Sequence, residues 1–326
     1  MKIAVLGAGA WGTALASVLA DNGHDVLLWA YEDDVVNDIN LRHRNSRYLP
    51  NVILHQSIQA THDITKVICD AAYVIESLPV CYMRSTIAQM INCFSKEQIW
   101  VITSKGIEQN TLMLPTQIID DLFGHKTKKV VMAGPSFAQE VVAKKLTGIV
   151  IASDDHHLAE QFRALMRNGY FCPEISSDMI GVQLGGALKN VITLGIGMLD
   201  GAGFADNAKA FLLTQGLAEM TRLGLKLGAK QETFYGLSGV GDLVLTAMGR
   251  FSKNLAIGRQ LGQGKSIDQI IKETGYIPEG VNTVQSLHQL MQDVDVDLPV
   301  CNGIYDVIFE SKPLQYMVSR LIGCSV

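Results

Sequence analysis

The sequence predicts an α/β protein: a doubly wound parallel sheet covered by helices on both faces, followed by an all-α C-terminal domain. Three observations carry that expectation. Short apolar runs alternate with helical patterns up to about residue 177, the signature of a parallel sheet fed by crossover helices. Beyond Asp178 the strand signal stops and helical periodicity takes over. A chain of 326 residues also exceeds the roughly 250 to 300 at which single cores stop growing, so two domains are expected, 1–177 and 178–326.

In chain order, strands are expected at residues 2–6, 25–29, 73–75, 99–103, 130–133 and 148–152, with a weaker one at 170–172. Between them, residues 11–22, 83–93 and 157–167 carry helical patterns. In the second half, 181–199, 207–227, 252–263, 266–272 and 283–292 read as helices. No repeat, low-complexity tract or long linker interrupts the chain, so the halves are expected to share a helix and a cleft.

Composition narrows the function. Hydrophobic residues make up 48% and charged residues 18%, which excludes disorder and coiled coil as the main architecture. Lysine plus arginine (27) against aspartate plus glutamate (32) leaves a net charge of −5, with no basic cluster longer than 126–129. No nucleic-acid partner is therefore expected. Cys69, Cys81, Cys93, Cys172, Cys301 and Cys324 form no C-x-x-C pair and have no histidines at ligand spacing, so reduced thiols are expected, with neither disulfides nor a metal site. The run Ile3-Ala4-Val5-Leu6 is too short for an export signal. The least charged stretch, 179–199, is broken by Lys189 and Asn190 and reads as a buried helix. A cytoplasmic chain without stable membrane insertion is expected.

The chemistry begins at Gly7-Ala8-Gly9-Ala10-Trp11-Gly12, which follows a strand and opens a helix. That context turns a weak pattern into a Rossmann-type dinucleotide fingerprint. Gly7 permits the tight turn, Gly9 lets backbone approach a pyrophosphate, and Gly12 lets helix and strand pack closely. Glu32 stands where an acidic residue would hold the ribose hydroxyls, although Asp33 and Asp34 beside it also suit a helix first turn. Lys105 and Ser136 follow two later strands, at the carboxyl ends where a parallel sheet binds ligands.

Lys189 lies in a helix where charge is costly, with Gly185, Gly186 and Thr193 on its face. Glycines there imply that something approaches the backbone, and a desolvated lysine has a lowered pKa suited to proton exchange with an alcohol or carbonyl oxygen. Asp242 lies in the glycine-rich turn 238–242 and, on its residues alone, reads as a turn former. Ser252-Lys253-Asn254 groups three hydrogen-bonding side chains.

Together these motifs resemble the NAD(P)-dependent glycerol-3-phosphate dehydrogenases of bacteria over essentially the whole chain. The specific marks are Gly-Ala-Gly-Ala-Trp-Gly at 7–12, Ser-Lys-Gly at 104–106, Gly-Pro-Ser-Phe-Ala at 134–138 and Gly-Val-Gln-Leu-Gly-Gly-Ala-Leu-Lys-Asn at 181–190. Gly-Val-Gly-Asp-Leu at 239–243 and Pro-Glu-Gly-Val at 278–281 complete them. The resemblance implies reversible hydride transfer between NADH or NADPH and dihydroxyacetone phosphate, giving sn-glycerol 3-phosphate for phospholipid synthesis. It implies that Lys189 exchanges the proton while Lys105 and Asp242 complete its surroundings. Gly134, Ser136, Ser252, Lys253 and Asn254 would join them on the substrate. Gly7, Gly9, Ala10, Trp11, Gly12, Tyr31, Ala138, Ile277 and Glu279, with Lys105 and Lys253, would contact the dinucleotide. Two positions depart from the family pattern: Tyr31 stands where Arg or His is common, and Lys253 where Arg is usual.

Other Rossmann dehydrogenases, acting on β-hydroxyacids or 3-hydroxyacyl-CoA, are the competing reading. The acyl-CoA enzymes are expected to use a His and Glu pair, yet none of the eight histidines lies in 181–190. A nicotinamide-sensing regulator would need no buried lysine. The chain is compatible with a homodimer, and its residues leave the choice between NADH and NADPH open.

Overall fold

The computed structural model describes residues 1–323. Cys324 lies outside the described residues, and the other five cysteines are free thiols. The chain forms two compact units: residues 1–104 with 115–179, and residues 105–114 with 180 onward. Segment 105–114 therefore departs from the expected boundary at 177. The reason is packing, since Ile107 and Leu114 are buried in the core cluster of the second unit.

The first unit runs β1 (Lys2–Leu6), α1 (Ala10–Asp21), β2 (Asp25–Trp29), α2 (Asp33–Arg42), β3 (Ile58–Thr61), α3 (Ile64–Ile68), β4 (Tyr73–Glu76) and α4 (Val80–Ile87). It continues with β5 (Ile99–Ile102), α5 (Pro115–Phe123), β6 (Lys128–Ala133), α6 (Ala138–Val142), β7 (Thr147–Ala152), α7 (His156–Met166) and β8 (Phe171–Ser176). The eight strands form one sheet in the order β3-β2-β1-β4-β5-β6-β7-β8. Strand order reverses at β1, the point where open α/β sheets bind nucleotides. On β1, Ile3 and Val5 point to one face and Ala4 and Leu6 to the other, and all four are buried. Both faces are thus covered, as a largely parallel sheet requires.

One pairing corrects the all-parallel expectation: β6 and β7 are antiparallel. The link between them holds only the five-residue α6. Such a helix advances about 7 Å, too little to carry the chain back along a six-residue strand of about 20 Å for parallel re-entry. The expected helix at 83–93 is also divided, into α4 and a 3-10 turn over Ala88–Cys93.

The second unit contains α8 (Met179–Gly201), α9 (Asp206–Lys226), α10 (Gln231–Tyr235), α11 (Asp242–Met248), α12 (Lys253–Gly262), α13 (Ile267–Thr274), α14 (Glu279–Asp293), α15 (Pro299–Phe309) and α16 (Leu314–Leu321). Every residue of α8 from Gly181 to Leu199 is buried, so this helix is the axis of the unit. By length and apolarity α8 could cross a membrane, but 89% of its most apolar 18-residue window is buried inside the protein, as befits a core helix. A Cβ on Gly185 would collide with the Ser238 carbonyl. That close approach seats the π-helical turn Leu237–Gly241, and with it the start of α11, against α8.

Candidate active site

In the first unit the glycine-rich turn joins β1 to α1. Gly7 has φ +106° and a Cβ there would lie 2.5 Å from the Ser77 carbonyl oxygen. Only glycine fits. A Cβ on Gly12 would collide with the Gly7 carbonyl, whereas one on Gly9 meets nothing within 4 Å. Gly9 is also the N-cap of α1 and offers no side-chain cap. The space beside Gly9 is therefore open at the positive end of the α1 dipole, which fits a pyrophosphate. Ala10 opens α1, and Trp11 packs against the core.

At the end of β2, Tyr31 is exposed and Glu32 is the N-cap of α2. Asp33 and Asp34 occupy the first turn of α2, where their charge favours the helix dipole. Further along, Gly134 has φ +153° and its carbonyl accepts the Ser136 hydroxyl at 3.0 Å. Ala138 opens α6. The sequence reading missed Glu76, a fully buried carboxyl at the end of β4. Burial raises its pKa to about 7, against hydrogen bonds from the Ser104 hydroxyl and from the Leu78 and Ser104 N–H groups.

In the second unit Lys105, Lys189 and Asp242 come together. Lys189 Nζ donates to Asp242 Oδ1 and, at 2.8 Å, to Thr246 Oγ1. Lys105 Nζ donates to Asp242 Oδ2 at 2.7 Å, so each carboxylate oxygen receives one ammonium. Asp242 is the first residue of α11, which continues without a break from the π-helical turn Leu237–Gly241. Thr246, one turn on, donates to the Asp242 carbonyl at 2.6 Å and so keeps an oxygen toward Lys189. Its i+4 spacing from Asp242 was the available signal, but without the Lys189 contact it carries no meaning.

The cluster holds two lysines and one aspartate, with Lys189 and Asp242 buried and Lys105 partly exposed. Burial is the chief force on Lys189, lowering its pKa; Asp242 opposes it and Lys105 reinforces it, and the net value is about 7. Burial raises the Asp242 carboxyl, but the two ammonium charges outweigh that and hold it below its usual range. The arrangement therefore offers surplus positive charge and a lysine able to exchange its proton near neutrality.

Of the remaining expected residues, Ser252 caps α12 by accepting from the Leu255 N–H at 3.2 Å. Asn254 donates to Asn190 Oδ1 at 2.9 Å, and its own Oδ1 is buried without a protein partner among the described residues. The exposed Lys253 holds its ammonium 5.1 Å from the centre of the Tyr276 ring. Ile277 is half-exposed and Glu279 opens α14.

Residues 2–159 match the family model for the N-terminus of NAD-dependent glycerol-3-phosphate dehydrogenase, and residues 178–319 match that for its C-terminus. The chain belongs to the NAD-dependent glycerol-3-phosphate dehydrogenase family. A glycerol-3-phosphate dehydrogenase (NAD(P)+) of Staphylococcus saprophyticus is 40% identical over 324 residues, covering 99% of this chain and 98% of that one. One from Listeria monocytogenes is 40% identical over 324 residues, 99% of this chain and 96% of its own. The crystal structure of glycerol-3-phosphate dehydrogenase from Coxiella burnetii superposes with a TM-score of 0.94 at 32% identity, covering 98% of each chain. Membership in the glycerol-3-phosphate dehydrogenase family agrees with the eight-stranded, mostly parallel sheet and the helical C-terminal unit.

Proposed function

We propose that the chain catalyses the reversible reduction of dihydroxyacetone phosphate to sn-glycerol 3-phosphate with NADH or NADPH. The observation that carries this reading is the Lys105–Asp242–Lys189 cluster, in which Asp242 and Lys189 are buried and Lys105 is partly exposed. A dihydroxyacetone phosphate dianion suits its surplus positive charge, and a lysine poised near neutrality suits a carbonyl that becomes an alkoxide. The bound nicotinamide supplies or accepts the hydride.

In the reducing direction Lys189 donates a proton to the developing alkoxide oxygen, and in the oxidising direction it removes the hydroxyl proton. Asp242 keeps the Lys189 ammonium oriented, and Lys105, on the other oxygen of the same carboxylate, adds a second ammonium beside the substrate. Gly134, Ser136, Ser252, Lys253 and Asn254 bind the glycerol phosphate. The turn 7–12, Tyr31, Ala138, Ile277 and Glu279, with Lys105 and Lys253, bind the dinucleotide. We infer a cytoplasmic enzyme that supplies phospholipid synthesis. The chain is compatible with a homodimer, which sedimentation would reveal as a species of twice the chain mass.

The pH dependence follows from Lys189. Its folded-state pKa of about 7 means that the free enzyme loses the donated proton as pH rises through that value. Above the second ionisation of the phosphate, near about 6, kcat/KM for reduction should fall with rising pH, while kcat/KM for glycerol 3-phosphate oxidation should rise. Parallel profiles in the two directions would remove Lys189 from the proton transfer.

Lys253 tests the phosphate site. Lysine offers a point charge where arginine offers a planar fork, so it neutralises the dianion with looser geometry. Lys253→Ala should raise KM for dihydroxyacetone phosphate about tenfold or more, the scale of one lost charge-assisted contact. Lys253→Arg should hold or lower it, and KM for NAD(P)H should change far less in both. An unchanged substrate KM in the alanine variant would place Lys253 outside the phosphate site.

A further inference from the structure

Glu32 is held in place. Its Oε1 accepts the Tyr48 hydroxyl at 2.5 Å and lies 3.8 Å from Arg47 Nη2. No described residue hydrogen-bonds Oε2. The Tyr48 ring packs against the core of the first unit, and its N–H donates to Asn45 Oδ1 at 3.3 Å. Asn45 is itself buried, and its Nδ2 donates to the Ala8 carbonyl and to Thr13 Oγ1, both at 2.8 Å. One short segment, 45–48, thus grips the fingerprint turn at one end and the Glu32 carboxylate at the other.

We propose that Tyr48 is a specificity-determining residue of the nucleotide site: by fixing the Glu32 carboxylate it makes the chain favour NADH over NADPH. The inference rests on the dehydrogenase reading above. The adenosine ribose of NADH carries a 2′-hydroxyl that can donate to a carboxylate, whereas NADPH carries a 2′-phosphate dianion that a carboxylate repels. A loose glutamate can swing away from that phosphate. Glu32 must first give up the Tyr48 hydrogen bond, and the tyrosine cannot follow because its ring is packed. Arg47 is the cation at hand, yet it is shared with Asp34 at 3.4 Å as well as Glu32, and its side chain is half-exposed. Two carboxylates thus share one guanidinium, while Asp33 beside them lies 3.5 Å from His62 Nδ1, and the charge around Glu32 stays negative. NADPH is therefore weakened without being excluded.

Fluorescence titration of NADH and NADPH gives dissociation constants without turnover. The wild type should bind NADH about tenfold or more tighter than NADPH. Glu32→Gln should bring the two within about twofold. Tyr48→Phe should weaken NADH severalfold while leaving NADPH unchanged or tighter, so that the ratio shrinks. If Tyr48→Phe weakens both nucleotides equally, its role is structural and the inference fails. Equal affinities in the wild type, or an unchanged ratio in Glu32→Gln, also overturn it while leaving the dehydrogenase reading intact. Failure of the wild type to bind either nucleotide overturns both.

Discussion

Lys189→Ala should lower kcat for dihydroxyacetone phosphate reduction by about 10²- to 10⁴-fold, the range that a positioned general acid supplies. The variant removes the group whose pKa burial brings to about 7. It leaves Asp242 paired with Lys105, so the remaining carboxylate is not stranded. The fingerprint turn belongs to the other unit and is untouched, and the dissociation constant for NADH should stay within about twofold of wild type. Loss of turnover with retained nucleotide binding separates chemistry from folding. A kcat within about tenfold of wild type would end the assignment of Lys189 as proton donor.

Asp242→Asn should damage both activity and stability. It leaves two ammonium groups without their shared anion, one of them fully buried. Breaking a buried pair in this way costs roughly 3–5 kcal/mol. Lys189 can relieve part of the cost by shedding its proton, which favours the lower end and a fall in Tm of about 6–12 °C. The same proton loss removes the donor, so kcat for reduction should fall by at least about 100-fold at neutral pH. The sign with pH is fixed by the carboxylate. The folded-state pKa of Asp242 lies below its ordinary value, so its stabilisation is present at neutrality and is lost as pH falls through the folded value. The difference in Tm between wild type and variant should accordingly narrow in acid. An unchanged Tm at neutral pH would show that the cluster does not hold together in solution.

Much of the sheet was legible because β1, β5 and β7 are apolar runs bounded by turns and buried on both faces, and β2 is a mostly apolar run buried on one face. β3 was not. Its four residues, Ile58-Gln59-Ala60-Thr61, alternate apolar and polar at the sheet edge, too short a pattern to separate from a loop. The antiparallel β6–β7 pairing was also hidden, because it depends on how far a five-residue helix can carry the chain. α15 escaped notice because its start is marked by Pro299 at the first turn and not by a polar cap.

The site divides in the same way. Lys189 stood out since a lysine between apolar residues on a glycine-bearing helix is costly wherever it is buried. Asp242 resembled a turn former because its partners lie 53 and 137 residues away in sequence. Thr246 and Tyr48 share that difficulty: each is an ordinary residue until the fold sets it against Lys189 or Glu32.

NAD(P)H oxidation by the purified chain, followed with dihydroxyacetone phosphate and in parallel with acetoacetyl-CoA, tests the reaction itself. The two-lysine cluster predicts rapid, saturable oxidation with dihydroxyacetone phosphate and none above background with acetoacetyl-CoA. Turnover of acetoacetyl-CoA without turnover of dihydroxyacetone phosphate would contradict it.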